Sequence, residues 1–203
     1  MTPSGESLTS FTIETLRGVT ILRLESPDGT NRLTCCLISG LMTAIRKLSD
    51  DPSPKPLIIT GNDKFFSVGA DLQEIAALSG AEALEFSRSG QQLMSTIEQF
   101  PADTCAAISG YCIGGGLDLA LACRHRIAAP NAIFGHRGAA LGLITGWGGT
   151  QRLPRLIGRA RASQMFLAAE KLNAREALAA RLVDNISRQP IRAAITGVAA
   201  ANR

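Results

Sequence analysis

The 203-residue sequence has few aromatic residues, no long hydrophobic run and no complete nucleotide-binding motif. With seven Phe, one Tyr and one Trp, it lacks the interleaved aromatic and basic residues that bind single strands, which argues against nucleic acid as a partner. Its longest apolar stretches are interrupted by Asp118, Arg124 or glycine, which argues against membrane insertion. The glycines at 114–116 and 146–149 complete neither G-x-G-x-x-G nor a P-loop.

The five cysteines show no C-x-x-C spacing and no Cys/His ligand spacing. They are odd in number and lie mostly among apolar residues. We therefore interpret them as reduced core residues of a cytoplasmic protein without a metal site. They are Cys35, Cys36, Cys105, Cys112 and Cys123.

The net charge of +4 and the isoelectric point near 9.0 favour an anionic partner. Since the pattern of a single-strand binder is missing, a small phosphorylated ligand fits this charge better than a nucleic acid does.

The order of predicted elements indicates an α/β domain in which helices alternate with short buried strands. We expect residues 1–10 to form a flexible lead without the order of a secretory signal, residues 11–187 to form the core domain, and residues 188–203 to form a short tail. Strands are expected at 11–13, 19–24, 57–60, 104–108, 125–129, 133–135 and 182–186, helices at 34–48, 73–78, 81–100 and 162–180 with a break near 172–173, and long loops at 61–72 and 138–149.

The stretch from Ile108 to Cys123 combines a buried strand, a triple-glycine turn and an apolar helix that carries Asp118 in its first turn. Glycines allow a sharp turn and let a ligand approach the main chain closely. The free amides of the helix would point into the pocket beside the turn. Asp118 alone has two interpretations: a residue that compensates the helix dipole, or a functional acid.

A second glycine-containing loop, at 61–72, also follows a buried strand and opens a helix. Two such loops can aim two backbone amides at one oxygen and stabilise negative charge on a carbonyl. The sequences Phe66-Ser-Val-Gly-Ala-Asp-Leu72, Gly110-Tyr-Cys-Ile-Gly-Gly-Gly-Leu-Asp-Leu-Ala120 and Gly142-Leu-Ile-Thr-Gly-Trp-Gly-Gly-Thr-Gln-Arg-Leu-Pro-Arg155 resemble, in order, three motifs of the crotonase superfamily, the enoyl-CoA hydratase/isomerase family. The resemblance covers about residues 11–187.

The resemblance implies a crotonase-like α/β fold of repeated ββα units, with a shortened C-terminal helical region. It also implies that the amides of Ala70 and Gly115 hold a thioester oxygen and that Asp118 is the catalytic acid. Lys64, Asp71 and Leu72 would contact coenzyme A, which is part of the substrate; no other cofactor is expected. A homotrimer or a dimer of trimers is implied as well.

One departure from the hydratase motif concerns a second glutamate, whose position is occupied here by Gly138. A single acid suits a proton shift, so we keep two activities open: hydration of an enoyl-CoA, and isomerisation of an enoyl- or dienoyl-CoA with Asp118 as the only acid or base. His136 and Arg137 could supply an auxiliary group. A third alternative is a catalytically weak homologue that binds acyl-CoA or RNA.

Overall fold

The structure is a computed structural model that describes the backbone of residues 11–201 and the side chains of residues 11–197. The lead predicted over residues 1–10 lies outside the described residues. The strands are β1 (Phe11–Leu16), β2 (Val19–Leu24), β3 (Arg32–Leu33), β4 (Leu57–Thr60), β5 (Phe65–Ser67), β6 (Gly69–Ala70), β7 (Thr104–Ile108), β8 (Tyr111–Ile113), β9 (His125–Ala128), β10 (Ile133–Gly135), β11 (Lys171–Asn173) and β12 (Asn185–Ile186).

The helices are α1 (Cys35–Ser49), α2 (Leu72–Ala77), α3 (Gly80–Glu98), α4 (Gly115–Ala122), α5 (Gly149–Ile157), α6 (Arg159–Leu167), α7 (Ala174–Ala179) and α8 (Pro190–Ala201). A 3₁₀ turn over Gly138–Leu141 separates β10 from α5. Local signals begin several of these helices: Thr34 caps α1, and Ser79 and Asn173 form capping boxes with Glu82 and Glu176.

The main sheet has six strands in the order β1-β2-β4-β7-β9-β12. β1 and β2 form an antiparallel hairpin, and every other neighbouring pair is parallel. β4 and β7 are buried along their whole length, which explains their continuous apolar sequences.

A second sheet of four strands has the order β11-β10-β8-β5, and β3 pairs with β6 in a small third sheet. In three successive units the chain passes from the main sheet to the second sheet and then into a helix: β4 and β5 before α2, β7 and β8 before α4, β9 and β10 before α5. The predicted repetition of ββα units is therefore confirmed.

The sequence missed the shortest strands. The segment 61–72, predicted as one loop, contains β5 and β6, and the break predicted near residues 172–173 is β11. These strands are two or three residues long and lack an alternating apolar pattern, so their hydrogen bonds to neighbouring strands define them.

Three cysteines, at 105, 112 and 123, are buried as predicted, whereas the prediction is wrong for Cys35 and Cys36, which are exposed at the start of α1. Near the C-terminal end, Ala194 and Ile195 of α8 pack with Ile58 and Cys105 on one face of the main sheet. Within residues 11–201, no helix is both long enough and apolar enough to cross a membrane.

Candidate active site

The two glycine loops meet in the structure, at β6 and at the start of α4. A Cβ on Gly69 would lie 2.7 Å from the backbone nitrogen of Gly115 and 2.8 Å from the carbonyl oxygen of Ile113. Gly69 has a φ of +88° and Gly114 has a φ of +56°, values that favour glycine. The two loops can approach this closely because glycine, which has no Cβ, occupies these positions.

Ala70 and Gly115 both line a cavity of about 850 Å³. Gly115 is the first residue of α4, so its N–H has no acceptor within the helix. The amides of Leu117 and Asp118, two and three residues further on, donate to the carbonyl oxygen of Gly114. The positive end of the α4 dipole therefore faces the cavity beside Ala70.

Asp118 lies in the wall of the same cavity, and its residue is only 1% exposed. Burial raises the pKa of its carboxyl group to about 7, although the Thr145 hydrogen bond and the charge of Arg152 act in the opposite direction. The Thr145 hydroxyl donates to Oδ2 of Asp118. A carboxyl group with a pKa near neutrality can both accept and release a proton at physiological pH.

His136, the residue after β10, faces Asp118 across the cavity wall. Its Nε2 lies 3.4 Å from Oδ1 of Asp118, and the residue is 4% exposed. Burial lowers the pKa of His136 to about 4, so its imidazole is neutral at pH 7. Among the described residues neither of these two atoms has a hydrogen-bond partner.

Gly149, at the start of α5, closes the space around this pair. A Cβ at this position would lie 2.1 Å from Oδ1 of Asp118 and 3.1 Å from Nε2 of His136. Glycine is thus required for α5 to approach the two side chains.

The position of the second hydratase glutamate, Gly138, lies in the 3₁₀ turn and contributes only backbone to the cavity lining. A Cβ there would lie 2.6 Å from the carbonyl oxygen of Leu143. The Leu143 amide donates to the Gly138 carbonyl oxygen at 2.8 Å. Arg137 precedes it as an exposed residue at the cavity. The groups nearest to Asp118 are therefore His136 and Thr145.

The structure brings two of the three residues predicted to contact coenzyme A to the cavity. Asp71 and Leu72 line the cavity, and Leu72 is exposed. The Asp71 carboxylate caps α2 by accepting from the amides of Gln73 and Glu74. Lys64 is exposed and lies outside the cavity lining. Its carbonyl oxygen accepts a hydrogen bond from the amide of Tyr111 at the start of β8, whereas the glycine turn follows the end of this strand.

Sequence reasoning missed three residues of the site: Arg32, Thr145 and Trp147. Arg32 reaches the cavity from β3 and lies 3.5 Å from the Asp71 carboxylate and 3.0 Å from that of Asp28. Thr145 and Trp147 stand within the third motif, but their contacts depend on how that loop folds over α4. Among the described residues there is no group of three or more His, Cys, Asp or Glu side chains that could hold a metal.

The family model described as enoyl-CoA hydratase/isomerase matches residues 14–192. The chain belongs to this enoyl-CoA hydratase/isomerase family. It is 41% identical over 167 residues to a crotonyl-CoA hydratase of Syntrophomonas wolfei and 38% identical over 168 residues to the 2,3-dehydroadipyl-CoA hydratase of Escherichia coli. The matches cover 82% and 83% of this chain, but only 64% and 65% of the two relatives, which is less than two thirds of their length.

Solved structures of the family show the same fold. Pseudomonas aeruginosa DspI superimposes with a TM-score of 0.91 at 33% identity, over 98% of this chain and 77% of that one. An enoyl-CoA hydratase from Bacillus anthracis gives a TM-score of 0.89 at 31% identity, over 94% of this chain and 76% of that one. The crotonase-like fold expected from the motifs is thereby confirmed.

Proposed function

We propose that this protein processes acyl-CoA thioesters through an enolate, most closely as an enoyl-CoA hydratase. The observation that supports the proposal is the close approach of Gly69 to Gly115, together with a cavity that Ala70, Gly115 and the buried Asp118 all line. Preorganised amides of this kind stabilise charge that develops on a thioester oxygen. Family membership and the hydratases among the relatives support the same activity.

In the hydration reaction, the oxygen of a water molecule bonds to the β carbon and a proton bonds to the α carbon. The electrons of the double bond move toward the thioester carbonyl, and the two amides would hold the resulting enolate oxygen. Asp118, with a pKa of about 7, is suited to take the proton of the water and to deliver a proton to the α carbon. The addition of water involves no net oxidation or reduction, so the reaction balances without a redox partner.

Isomerisation is the second candidate, and Gly138 favours it. Because this position supplies no carboxylate, Asp118 is the one acid that the described part of the chain provides beside His136 and Gly115. As a base it would remove the α proton of a 3-enoyl-CoA; as an acid it would return that proton to the γ carbon, which moves the double bond into conjugation with the thioester. One residue can perform both transfers.

Two assays on the purified protein test these activities. With crotonyl-CoA, hydration is followed as loss of the conjugated enoyl absorbance, and with a 3-enoyl-CoA, isomerisation is followed as its gain. Asp118→Asn should reduce kcat/KM by at least about a hundredfold with either substrate. Asp51→Asn, an exposed residue after α1, is the matched control and should leave both rates unchanged.

Turnover of neither substrate, with retained binding of crotonyl-CoA, would contradict both activities and favour the catalytically weak binding protein. Equal turnover by the wild type and Asp118→Asn would contradict the role of Asp118.

Coenzyme A contact by Lys64, Asp71 and Leu72 belongs to the same proposal. Asp71 and Leu72 line the cavity, and the guanidinium of Arg32, which pairs with the carboxylates of Asp71 and Asp28, also lines it and can donate hydrogen bonds to a phosphate. We also propose a cytoplasmic protein that acts in fatty acid metabolism as a homotrimer or a dimer of trimers. Light scattering after size exclusion tests the assembly.

A further inference from the structure

The Asp118–His136 pair contains two buried polar atoms that face one another and have no other partner among the described residues. Oδ1 of Asp118 and Nε2 of His136 are 3.4 Å apart, and both residues are almost completely buried. Leaving polar atoms unpartnered at such depth is destabilising, so a small closure that joins them is favourable.

A neutral imidazole is a suitable partner for a carboxyl group that changes its protonation state. With the proton on Nε2, His136 donates to the carboxylate of Asp118. With the proton on Nδ1, its Nε2 accepts from the protonated carboxyl group. When the acid form changes to the base form, Nε2 gains one proton and Nδ1 releases one to solvent, so the imidazole stays neutral in both arrangements.

We propose that His136 is a positioning residue that keeps Oδ1 of Asp118 hydrogen-bonded in both its acid and its base form, by exchanging one imidazole tautomer for the other. Oδ2 is held independently by the Thr145 hydroxyl. The carboxyl group of Asp118 is thus held at both oxygens. In the hydratase motif a second glutamate would stand nearby, at the position that Gly138 occupies here. The catalytic consequence rests on the proposed function, whereas the hydrogen bond and the tautomer exchange do not.

The surroundings of the pair leave Asp118 as the group that titrates near neutral pH. Arg152 of α5 is the nearby cation, and its guanidinium is engaged by Glu98 at 2.6 Å. The Cys112 thiol of β8 is buried, and burial raises its pKa well above the usual value. On the other side, the His136 ring packs against Phe166 of α6, with 5.0 Å between ring centroids, an apolar contact that favours the neutral imidazole.

The sequence contains two histidines, which makes a spectroscopic test simple. The His125 side chain is half-exposed and does not line the cavity, so His125→Leu leaves His136 as the single imidazole. This variant is labelled with ¹⁵N-histidine, and the ¹⁵N chemical shifts of both ring nitrogens are followed against pH. Near pH 7, Nε2 should change from the shift of an unprotonated nitrogen to that of a protonated one as pH rises, and Nδ1 should change the other way. The shifts of an imidazolium, in which both nitrogens are protonated, should not appear. The exchange should vanish in Asp118→Asn. An ordinary imidazolium titration, or one tautomer throughout, would overturn the proposal whether or not the protein turns over a substrate.

Kinetics test the consequence for the reaction. His136→Gln retains a neutral group that can donate or accept, and should keep kcat/KM within about tenfold of the wild type. His136→Leu removes the partner and should lower kcat by about tenfold to a hundredfold with little change in KM. Thermal unfolding of both variants checks that they fold. Equal losses in Gln and Leu, or a loss confined to KM, would overturn the positioning role, whereas inactivity of the wild type would contradict the proposed function alone.

Discussion

The six-membered ring of Trp147 packs directly against the backbone of Gly115. A Cβ on Gly115 would lie 2.2 Å from Cζ3 of this ring, and a Cβ on Gly90 of α3 would lie 2.1 Å from its Nε1. Trp147 therefore fills the space between α3 and the first turn of α4, and its position depends on two glycines that stand 25 residues apart on different helices. The amide of Gly115 is held in place by this contact.

Gly115→Ala should reduce both stability and activity, because the methyl group displaces the Trp147 ring and shifts the first turn of α4. We expect a loss of about 1–3 kcal/mol in the free energy of unfolding, measured in urea, and a fall in kcat larger than the change in KM. Gly80→Ala is the control, since a Cβ there meets nothing within 4 Å, and it should be neutral or stabilising by about 0.5 kcal/mol. Full activity of Gly115→Ala would contradict the role of this amide.

The buried carboxyl group of Asp118 should make stability depend on pH. Its pKa is raised from 3.8 to about 7 in the folded protein, so between these values the folded state binds more protons than the unfolded state. The contribution of Asp118 to stability should therefore be greatest below about pH 4, fall by up to about a few kcal/mol toward pH 7, and then level off. Buried His136, whose pKa is lowered from 6.5 to about 4, contributes with the opposite sign between these two values. Asp118→Asn should remove this part of the pH dependence, as judged by Tm from pH 4 to pH 8. Parallel curves for the two proteins would contradict it.

Thr145→Val should move the activity profile to higher pH. The Thr145 hydroxyl lowers the pKa of Asp118 by donating to its carboxylate, and valine keeps the shape without the donor. In the proposed isomerisation the base form of Asp118 would begin the reaction, so the rise of kcat/KM with pH should occur at higher pH in the variant. Thr43→Val, on the exposed face of α1, is the matched control. An unchanged profile in Thr145→Val would show that this hydroxyl does not act on Asp118.

Gly138→Glu restores the second acid of the hydratase motif but should not produce an efficient hydratase. The Cβ would lie 2.6 Å from the Leu143 carbonyl oxygen, so the turn must move to accept any side chain. We expect a loss of about 1–3 kcal/mol in the free energy of unfolding. Ala139→Glu places the same charge on the next, exposed residue and should change stability by less than about 0.5 kcal/mol. A stable Gly138→Glu variant with faster hydration of crotonyl-CoA would contradict this expectation.

Asp71→Ala and Asp71→Asn separate two contributions of one side chain. Alanine removes the cap of α2 and should cost about 1 kcal/mol of stability, with a higher KM because α2 forms a wall of the cavity. Asparagine keeps the cap and removes only the charge that faces Arg32. If the two variants raise KM equally, the charge rather than the cap determines substrate binding.

Features that depend on a local sequence pattern could be predicted from the sequence. The fully buried strands and the glycine turn before Asp118 follow from composition and spacing, and the three motifs indicated the family. The contacts that define the site are between distant segments. Thr145 and His136 reach Asp118 from 27 and 18 residues away, and Arg32 reaches the cavity through the pairing of β3 with β6, which are two residues long. The spacing of apolar and polar residues along the sequence does not indicate which distant segments will pair.

The helix that carries Asp118 is buried over Gly116–Ala122, whereas Thr145 lies on a loop with exposed neighbours at Ile144 and Gly146. Hydrogen exchange should therefore divide the active site into two parts. Amides of α4 exchange only when the whole domain unfolds, while those of the loop exchange through local opening. Each local opening would separate Thr145 from Asp118 while Gly115 and the rest of α4 stay folded, so the carboxyl group would lose one hydrogen bond without unfolding of the helix that carries it.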